Sequence, residues 1–200
     1  MKKIFFPFIG KDLGGSHIST FLLANGLDGG GEYRAIIVCP SGTRIEEEAK
    51  KEGIEVICTS DTPVDRHSIL HDFSHIPEKL RFLHRHCGHQ SILHFNDLRA
   101  MQSWIVPAKT IGLPVVFHNR ALNKFSYMKA KFTSLADHFI SISDVCHKNI
   151  DFLPNNIRHI VSNPFTDGRH PENQSCTSGD AHCETENINV SFIGNFPWSR

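Results

Sequence analysis

Short apolar runs alternate along the chain with longer segments whose apolar positions recur at helical spacing. The run Lys3–Ile9 predicts a strand, and Ile18, Phe21, Leu22 and Leu27 then fall on one face of a helix. A glycine-containing turn separates the two segments. The chain therefore opens with a strand, a turn and a helix.

The same alternation continues to about residue 161. The predicted strands are Lys3–Ile9, Tyr33–Cys39, Ile54–Cys58, Ser91–Phe95, Leu113–His118, His138–Ser143 and Ile157–Val161. The predicted helices include a charged segment that Gly53 closes, and then Glu78–His86, Leu98–Ile111, Lys124–Leu135 and Asp144–Phe152. Pro107 predicts a break or kink in its helix, and Thr59–Ser74 contains no clear element.

About seven strands that alternate with helices predict an α/β protein with a doubly wound, mostly parallel sheet. Each parallel connection needs a crossover long enough for a helix, so helices cover both faces of a Rossmann-like fold. Ligands in such folds bind at the carboxyl ends of the strands, near the point where the strand order reverses. The loops that follow the strands are therefore the first place to search for a site.

The composition changes abruptly after the predicted domain at residues 1–165. Residues 166–187 contain no aliphatic or aromatic side chain larger than alanine, which predicts a polar linker or loop. Residues 188–193 form one more apolar run, and a glycine turn follows it. A strand that enters such a turn predicts that residues 188–200 are the first strand and turn of a second domain that is otherwise missing.

Charge and cysteine usage exclude several classes of protein. The 21 basic residues balance the 21 acidic ones, so no overall basic field predicts nucleic-acid binding. The six cysteines include no CxxC pair, which favours reduced thiols and a cytoplasmic location. The apolar run at the N-terminus is broken by Pro7, and no stretch approaches the roughly 18 residues of a membrane span.

A glycine loop follows the first strand and is a candidate phosphate site. Gly14 and Gly15 open the first helix, where unpaired backbone N–H groups suit an anion, and Ser16 is a candidate cap. The alternative is a glycine turn that only reverses the chain. The loop is neither GxGxxG nor a P-loop, which weighs against a nicotinamide oxidoreductase.

Polar side chains stand at the ends of four later strands. His118, a candidate proton donor or acceptor, is followed by Asn119 and by Arg120, a permanent cation suited to a phosphate or carboxylate. Other candidates for the cleft, each with an alternative role as a helix cap or turn residue, are Asn96, Asp97, Ser143 and Asn163. Most of the 14 histidines stand singly beside polar neighbours, which is typical of surface positions. The cluster "HRHCGH" lacks paired ligand spacing, so no metal site is predicted.

Taken in order, "GGSH", "ILHFNDLRA", "GLPVVFHNRA", "ADHFISISD", "HIVSNPF" and "VSFIGNF" resemble the N-terminal half of family-4 glycosyltransferases. These are retaining sugar transferases of the GT-B architecture, in which two doubly wound domains face a cleft. The resemblance implies an acceptor-side domain with no cofactor and no metal. Its substrates would be a nucleotide-sugar donor and a glycan or lipid-linked acceptor.

The resemblance also assigns roles to individual residues. It places Gly14 and Gly15 at the donor diphosphate, His118 near the transferring sugar, and Ser143 and Asn163 at the cleft. His17 occupies a position that often faces the cleft. The paired glutamates and the basic pair of the family's C-terminal domain are absent, so we expect these 200 residues alone to be inactive, as a truncated product or one part of a split enzyme.

Two further expectations stay open at this point. Because the family's acceptors include lipid-linked ones, one expectation is peripheral association with the inner face of the membrane. The other is that the C-terminal domain is a separate chain. A non-catalytic binding or interaction module with the same fold is the rival to the transferase.

Overall fold

The computed structural model describes residues 1–60, 74–88 and 90–161. The strands are β1 (Lys2–Pro7), β2 (Tyr33–Pro40), β3 (Glu55–Thr59), β4 (Ser91–Phe95), β5 (Val115–Asn119), β6 (His138–Ser141) and β7 (Arg158–Ile160). The helices are α1 (Gly15–Gly29), α2 (Arg44–Lys51), α3 (Ile76–His86), α4 (Leu98–Thr110), α5 (Tyr127–Thr133) and α6 (Asp144–Lys148), and a 3-10 turn spans Asn155–Ile157.

The strands form one sheet in the order β3-β2-β1-β4-β5-β6-β7, and every neighbouring pair is parallel. This arrangement confirms the predicted doubly wound, Rossmann-like α/β fold. The chain winds outward from β1 in one direction and then from β4 in the other. The strand order therefore reverses between β1 and β4, where their loops diverge and leave room for a ligand.

Side-chain alternation along the central strands divides the core between the two faces of the sheet. In β1, Ile4 and Phe6 belong to one cluster with buried residues of α1 and α2. Phe5 points to the other cluster, which includes Trp104 of α4 and Phe117 of β5. Strands that bury both faces read as continuous apolar runs, which explains why the sequence pattern located them well.

Helix α2 shows how local sequence sets an element's ends. The Thr43 side chain caps the helix by accepting a hydrogen bond from the Glu46 amide. Gly53 follows the helix at φ +74°, a left-handed conformation that suits glycine, so its predicted role in closing the helix is confirmed.

Two predicted helices are longer in the sequence pattern than in the structure. Helix α5 begins at Tyr127 rather than Lys124, because Ser126 caps it and the preceding loop is hydrogen-bonded to the end of α6. In that loop the Asn123 amide donates to Asn149 Oδ1 at 3.0 Å, and Asn149 Nδ2 donates back to the Asn123 carbonyl at 3.0 Å. Asn149 also ends α6, which was predicted to continue to Phe152.

Of the break or kink predicted at Pro107, the break does not occur, since α4 continues past it to Thr110. Proline in a helix interior removes one hydrogen bond and costs about 3 kcal/mol or more. Here Pro107 is buried with its neighbours Trp104, Ile105 and Ala108. We attribute the intact helix to this packing.

Several predictions fall on residues outside the described ranges. They are Asn163, the polar segment 166–187 and the strand and turn at 188–200. Within the described ranges, no helix has the length and apolar character needed to cross a bilayer.

The core assignment predicts a large difference between two phenylalanines. Phe139 of β6 is fully buried, whereas Phe152 is 47% exposed. Phe139→Ala should lower the free energy of unfolding by about 3–5 kcal/mol, because it removes a buried ring and leaves a cavity. Phe152→Ala is the control and should cost about 1 kcal/mol or less. Urea unfolding of the two variants measures the difference, and equal losses would contradict this core.

Candidate functional site

The candidate site lies at the carboxyl edge of the sheet, where β1, β4 and β5 are neighbours. The glycine loop follows β1 and leads into α1, Asn96 and Asp97 follow β4, and Arg120 follows β5. Strand pairing therefore brings together residues that lie about a hundred positions apart in the sequence. This edge is also the point where the strand order reverses.

At the start of α1, a histidine closes the first turn onto the glycine loop. The Gly14 amide donates to His17 Nδ1 at 2.9 Å, and the Gly14 carbonyl accepts from the His17 amide at 2.9 Å. The His17 ring packs on Phe8, with ring centroids 4.6 Å apart. Burial lowers the pKa of His17, so the imidazole is neutral and carries its proton on Nε2.

Arg120 joins three elements of the site through its guanidinium group. Its Nε donates to Asn96 Oδ1 at 3.0 Å, at the end of β4. Its Nη2 lies 3.2 Å from His118 Nδ1 in β5, and its Nη1 donates to Ser19 Oγ in the second turn of α1. We call Arg120, Ser19, Asn96 and His118 the Arg120 cluster.

The histidines of this edge are buried and neutral. Burial, with Arg120 nearby, lowers the pKa of His94 to about 3. Burial, with Arg120 and His94 beside it, lowers the pKa of His118 to about 2. Burial also lowers the pKa of Arg120, to about 10, so the guanidinium remains charged at neutral pH.

Three buried polar atoms around Arg120 make no hydrogen bond to the residues that the structure describes. They are His94 Nε2, Asn96 Nδ2 and His118 Nε2, and each of these residues is at most 7% exposed. Leaving a buried polar group unpaired costs about 1–3 kcal/mol. Three such atoms gathered around one arginine beside the strand-order reversal mark a candidate functional site.

The other predicted site residues have identified structural contacts. Asp97 is exposed and caps α4 by accepting hydrogen bonds from the Arg99 and Ala100 amides. Ser143 caps α6 through a bond from the Cys146 amide.

Asn119 is fully buried rather than exposed to the cleft. Its Nδ2 donates to the Cys146 carbonyl at 2.9 Å, and its Oδ1 accepts from Asn123 Nδ2 at 2.9 Å. These bonds tie the end of β5 to α6 and to the loop before α5.

A cleft of about 190 Å³ opens between the residues that follow β1 and those that follow β4. Its walls are the loop Phe8–Asp12, His17, and Asp97 and Arg99 at the start of α4. His17 and Asp97, both predicted from the sequence, therefore line one concave surface with the loop Phe8–Asp12, whereas Gly14 and Gly15 are not among its lining residues. His118 lies beneath this edge rather than among the residues that line the cleft.

Sequence reasoning missed His94 and Ser19 as members of the site. His94 lies at the next-to-last position of β4, and its ring centroid is 5.6 Å from that of His118. A polar residue inside an otherwise apolar strand was the available signal for His94. Ser19 carried none, because only the fold brings α1 next to the end of β5.

No protein-family model and no curated protein sequence matches the chain. Solved structures do match it. Anabaena Alr3699/HepE in complex with UDP-glucose aligns with a TM-score of 0.63 and 15% identity over 82% of this chain and 44% of that chain. The lipopolysaccharide outer core galactosyltransferase WaaB aligns with a TM-score of 0.62 and 16% identity over 83% of this chain and 46% of that chain.

A UDP-GlcNAc 2-epimerase from Neisseria meningitidis, bound to UDP-GlcNAc, aligns with a TM-score of 0.59 and 11% identity over 80% of this chain and 45% of that chain. The present chain thus spans less than half the length of these proteins. At such low identity the likeness shows the fold, which is GT-B-like.

The buried histidines predict that acid destabilises the protein. Their pKa values are lowered in the folded state, so the unfolded chain binds more protons below about pH 6.5. Stability should therefore fall as the pH drops from about 6.5 towards 3, by about 1.4 kcal/mol per pH unit for each histidine.

Urea unfolding between pH 7 and pH 4.5 measures this slope. His94→Gln should remove about 1.4 kcal/mol per pH unit from it. His84→Gln, which changes an exposed histidine of α3, is the control and should keep the wild-type slope. A slope unaffected by His94→Gln would show that His94 takes up its proton without unfolding.

Proposed function

We propose that this chain is the acceptor-side half of a retaining, family-4-like glycosyltransferase that takes a sugar from a nucleotide-sugar donor. The observation that carries the proposal is the Arg120 cluster, which lies under the glycine-loop helix at the strand-order reversal. Proteins of this fold that are bound to UDP-glucose and to UDP-GlcNAc support a nucleotide-sugar as the ligand class.

The glycine loop is the proposed contact for the donor diphosphate. The Gly14 amide already donates to His17, so the Gly15 amide at the first position of α1 is the better donor to a phosphate oxygen. A Cβ at Gly15 would meet no other atom within 4 Å, which leaves the space before it open. Gly14 has no side chain, so it also leaves room for the diphosphate to reach the Gly15 amide.

His118 is the proposed residue nearest the transferring sugar. A neutral imidazole with a pKa of about 2 is a poor proton carrier at pH 7. We therefore assign His118 the role of a hydrogen-bond donor that orients the sugar, rather than that of a general acid or base. In the complete enzyme the leaving diphosphate would be stabilised from both domains.

The proposed acceptor is lipid-linked, because an exposed surface that follows Arg120 in the chain combines apolar and basic side chains. This surface, which we call the α5 surface, consists of Leu122, Lys124, Tyr127, Met128, Lys129 and Lys131. Leu122 is 63% exposed, Tyr127 79% and Met128 50%. The chain carries no acidic residue from Leu98 to Ala136, so the positive charge of this surface is not offset locally. Apolar side chains among lysines fit the surface of a membrane with anionic lipids.

A non-catalytic module is the rival proposal, and an epimerase is a further one, since the fold also occurs in a UDP-GlcNAc 2-epimerase. A non-catalytic module need not bind a nucleotide-sugar. An epimerase would bind the nucleotide-sugar but would have no use for an acceptor-binding surface. Binding of donor and binding of membrane therefore separate the three proposals.

Gly15→Asp tests the donor site. A carboxylate at the first turn of α1 suits the helix dipole, so the melting temperature should be unchanged or higher. The same charge repels a diphosphate, and the affinity for UDP-glucose should fall roughly tenfold, which corresponds to about 1.4 kcal/mol. Gly15→Ala is the uncharged control and should bind within a few-fold of wild type. Calorimetric titration measures both variants, and equal affinities for Asp and Ala would remove the diphosphate from this loop.

Vesicle cosedimentation tests the α5 surface. The protein should bind vesicles that contain phosphatidylglycerol more tightly than vesicles of phosphatidylcholine alone, and salt should weaken the binding. Lys129→Glu together with Lys131→Glu should abolish the preference. The matched control reverses two exposed lysines of α2, Lys50 and Lys51, and should retain it. Equal loss in both pairs would mean that overall charge, rather than this surface, drives binding.

A further inference from the structure

The guanidinium group of Arg120 carries only hydrogen-bond donors. Its partners must therefore present acceptors to it. His118 meets this requirement with Nδ1, and Asn96 meets it with Oδ1. Turning the Asn96 amide over would place an NH₂ group against Arg120 Nε, with two donors face to face. The orientation of both side chains thus follows from the chemistry of Arg120.

This orientation determines what each side chain offers at its other end. A neutral imidazole has one proton, and because His118 Nδ1 accepts, that proton lies on Nε2. Asn96 in turn directs its Nδ2 donor group away from Arg120. Both His118 Nε2–H and Asn96 Nδ2–H are therefore donors.

Both of these donors are buried and lack an acceptor among the described residues. Each belongs to a side chain that is 6% exposed. Two unpaired donors held by one cation are complementary to an oxygen acceptor and unsuited to a cation. The acceptor is either an oxygen of a bound ligand or the oxygen of an enclosed water.

We propose that Arg120 is a positioning residue that makes His118 and Asn96 hydrogen-bond donors toward an oxygen acceptor, instead of contacting the ligand as a free cation. Ser19 completes the arrangement, because the Arg120 contact to it fixes the start of α1 against the same two strands. The part of this proposal that concerns a ligand oxygen rests on the proposed function. The part that concerns Arg120, His118 and Asn96 does not.

Nuclear magnetic resonance of the ¹⁵N-labelled chain tests the positioning role without any activity. Long-range ¹H–¹⁵N correlation spectra distinguish a protonated ring nitrogen from an unprotonated one, and His118→Gln assigns the signal. Wild-type His118 should show a single Nε2–H tautomer at pH 7. A protonated Nδ1 or a mixture of tautomers in the wild type would overturn the proposal.

Arg120→Met tests whether the guanidinium sets this tautomer. The variant removes the guanidinium group with all of its N–H donors, so His118 should become a mixture of tautomers. Arg85→Met, at an exposed arginine of α3, is the control and should leave the His118 signal unchanged. An unchanged Nε2–H tautomer in Arg120→Met would overturn the positioning role. Arg120→Lys keeps the charge and covers the case in which Arg120→Met fails to fold, and the wild-type spectrum remains decisive in any event.

Asn96→Asp tests whether the acceptor is a ligand oxygen, and it leaves the shape of the side chain almost unchanged. It keeps an oxygen toward Arg120 but replaces the Nδ2 donor with a second oxygen. Affinity for UDP-glucose should fall at least tenfold while the His118 tautomer stays the same. In the wild type, UDP-glucose should also shift the His118 Nε2–H signal.

The outcomes separate the two proposals. In one outcome, UDP-glucose binds equally well to wild type and Asn96→Asp and does not shift the His118 signal. That result would assign the acceptor to an enclosed water and overturn the proposal of a ligand oxygen. Absence of UDP-glucose binding by the wild type, with the Nε2–H tautomer present, would overturn the proposed function and leave the role of Arg120 supported.

Discussion

Parallel pairing of the seven strands in the described part of the chain is the constraint on which the rest of the structure depends. Every connection must return to the same edge of the sheet, so all the strand ends face one way. Polar residues placed at the ends of successive strands are thereby gathered at that edge without any local sequence signal. The reversal between β1 and β4 then separates the loops and opens a cleft. Arg120 and Ser19, 101 positions apart, meet for this reason alone.

At this edge of the sheet, Arg120 has a different role from the one its charge suggests. An exposed arginine at a strand end would be available to an anion, but this guanidinium bonds to α1, β4 and β5. It lowers the pKa of both neighbouring histidines in addition to the larger effect of burial. Both histidines are therefore neutral at physiological pH, and the charged guanidinium leaves them as hydrogen-bond donors. This character suits an oxygen acceptor better than it suits proton transfer.

The sequence predicted the elements that depend on a local pattern. It did not predict element ends or burial that depend on contacts with residues far away in the chain. The seven strands of the described residues were located, and the central ones, which are buried on both faces, form continuous apolar runs. Gly53 ended α2 because its positive φ is a property of one residue. The start of α5 was missed because Asn123 is held by Asn149, 26 positions away. The burial of Asn119 and the contribution of His94 to the site were missed for the same reason. Two of the predicted site residues, His17 and Asp97, lie in the wall of the cleft with the loop Phe8–Asp12, and their role there stays a prediction.

The unpaired donors also bear on why the fold alone does not decide the function. Transferases and an epimerase share this architecture, so the choice depends on the chemistry presented at the strand ends. Two buried N–H groups without an acceptor among the described residues cost stability unless a ligand oxygen or an enclosed water accepts from them. Apolar side chains in place of His118 and Asn96 would remove that requirement and still pack against the sheet. Packing alone therefore does not call for two donors at the ends of β4 and β5, whereas a site that holds an oxygen in one orientation does.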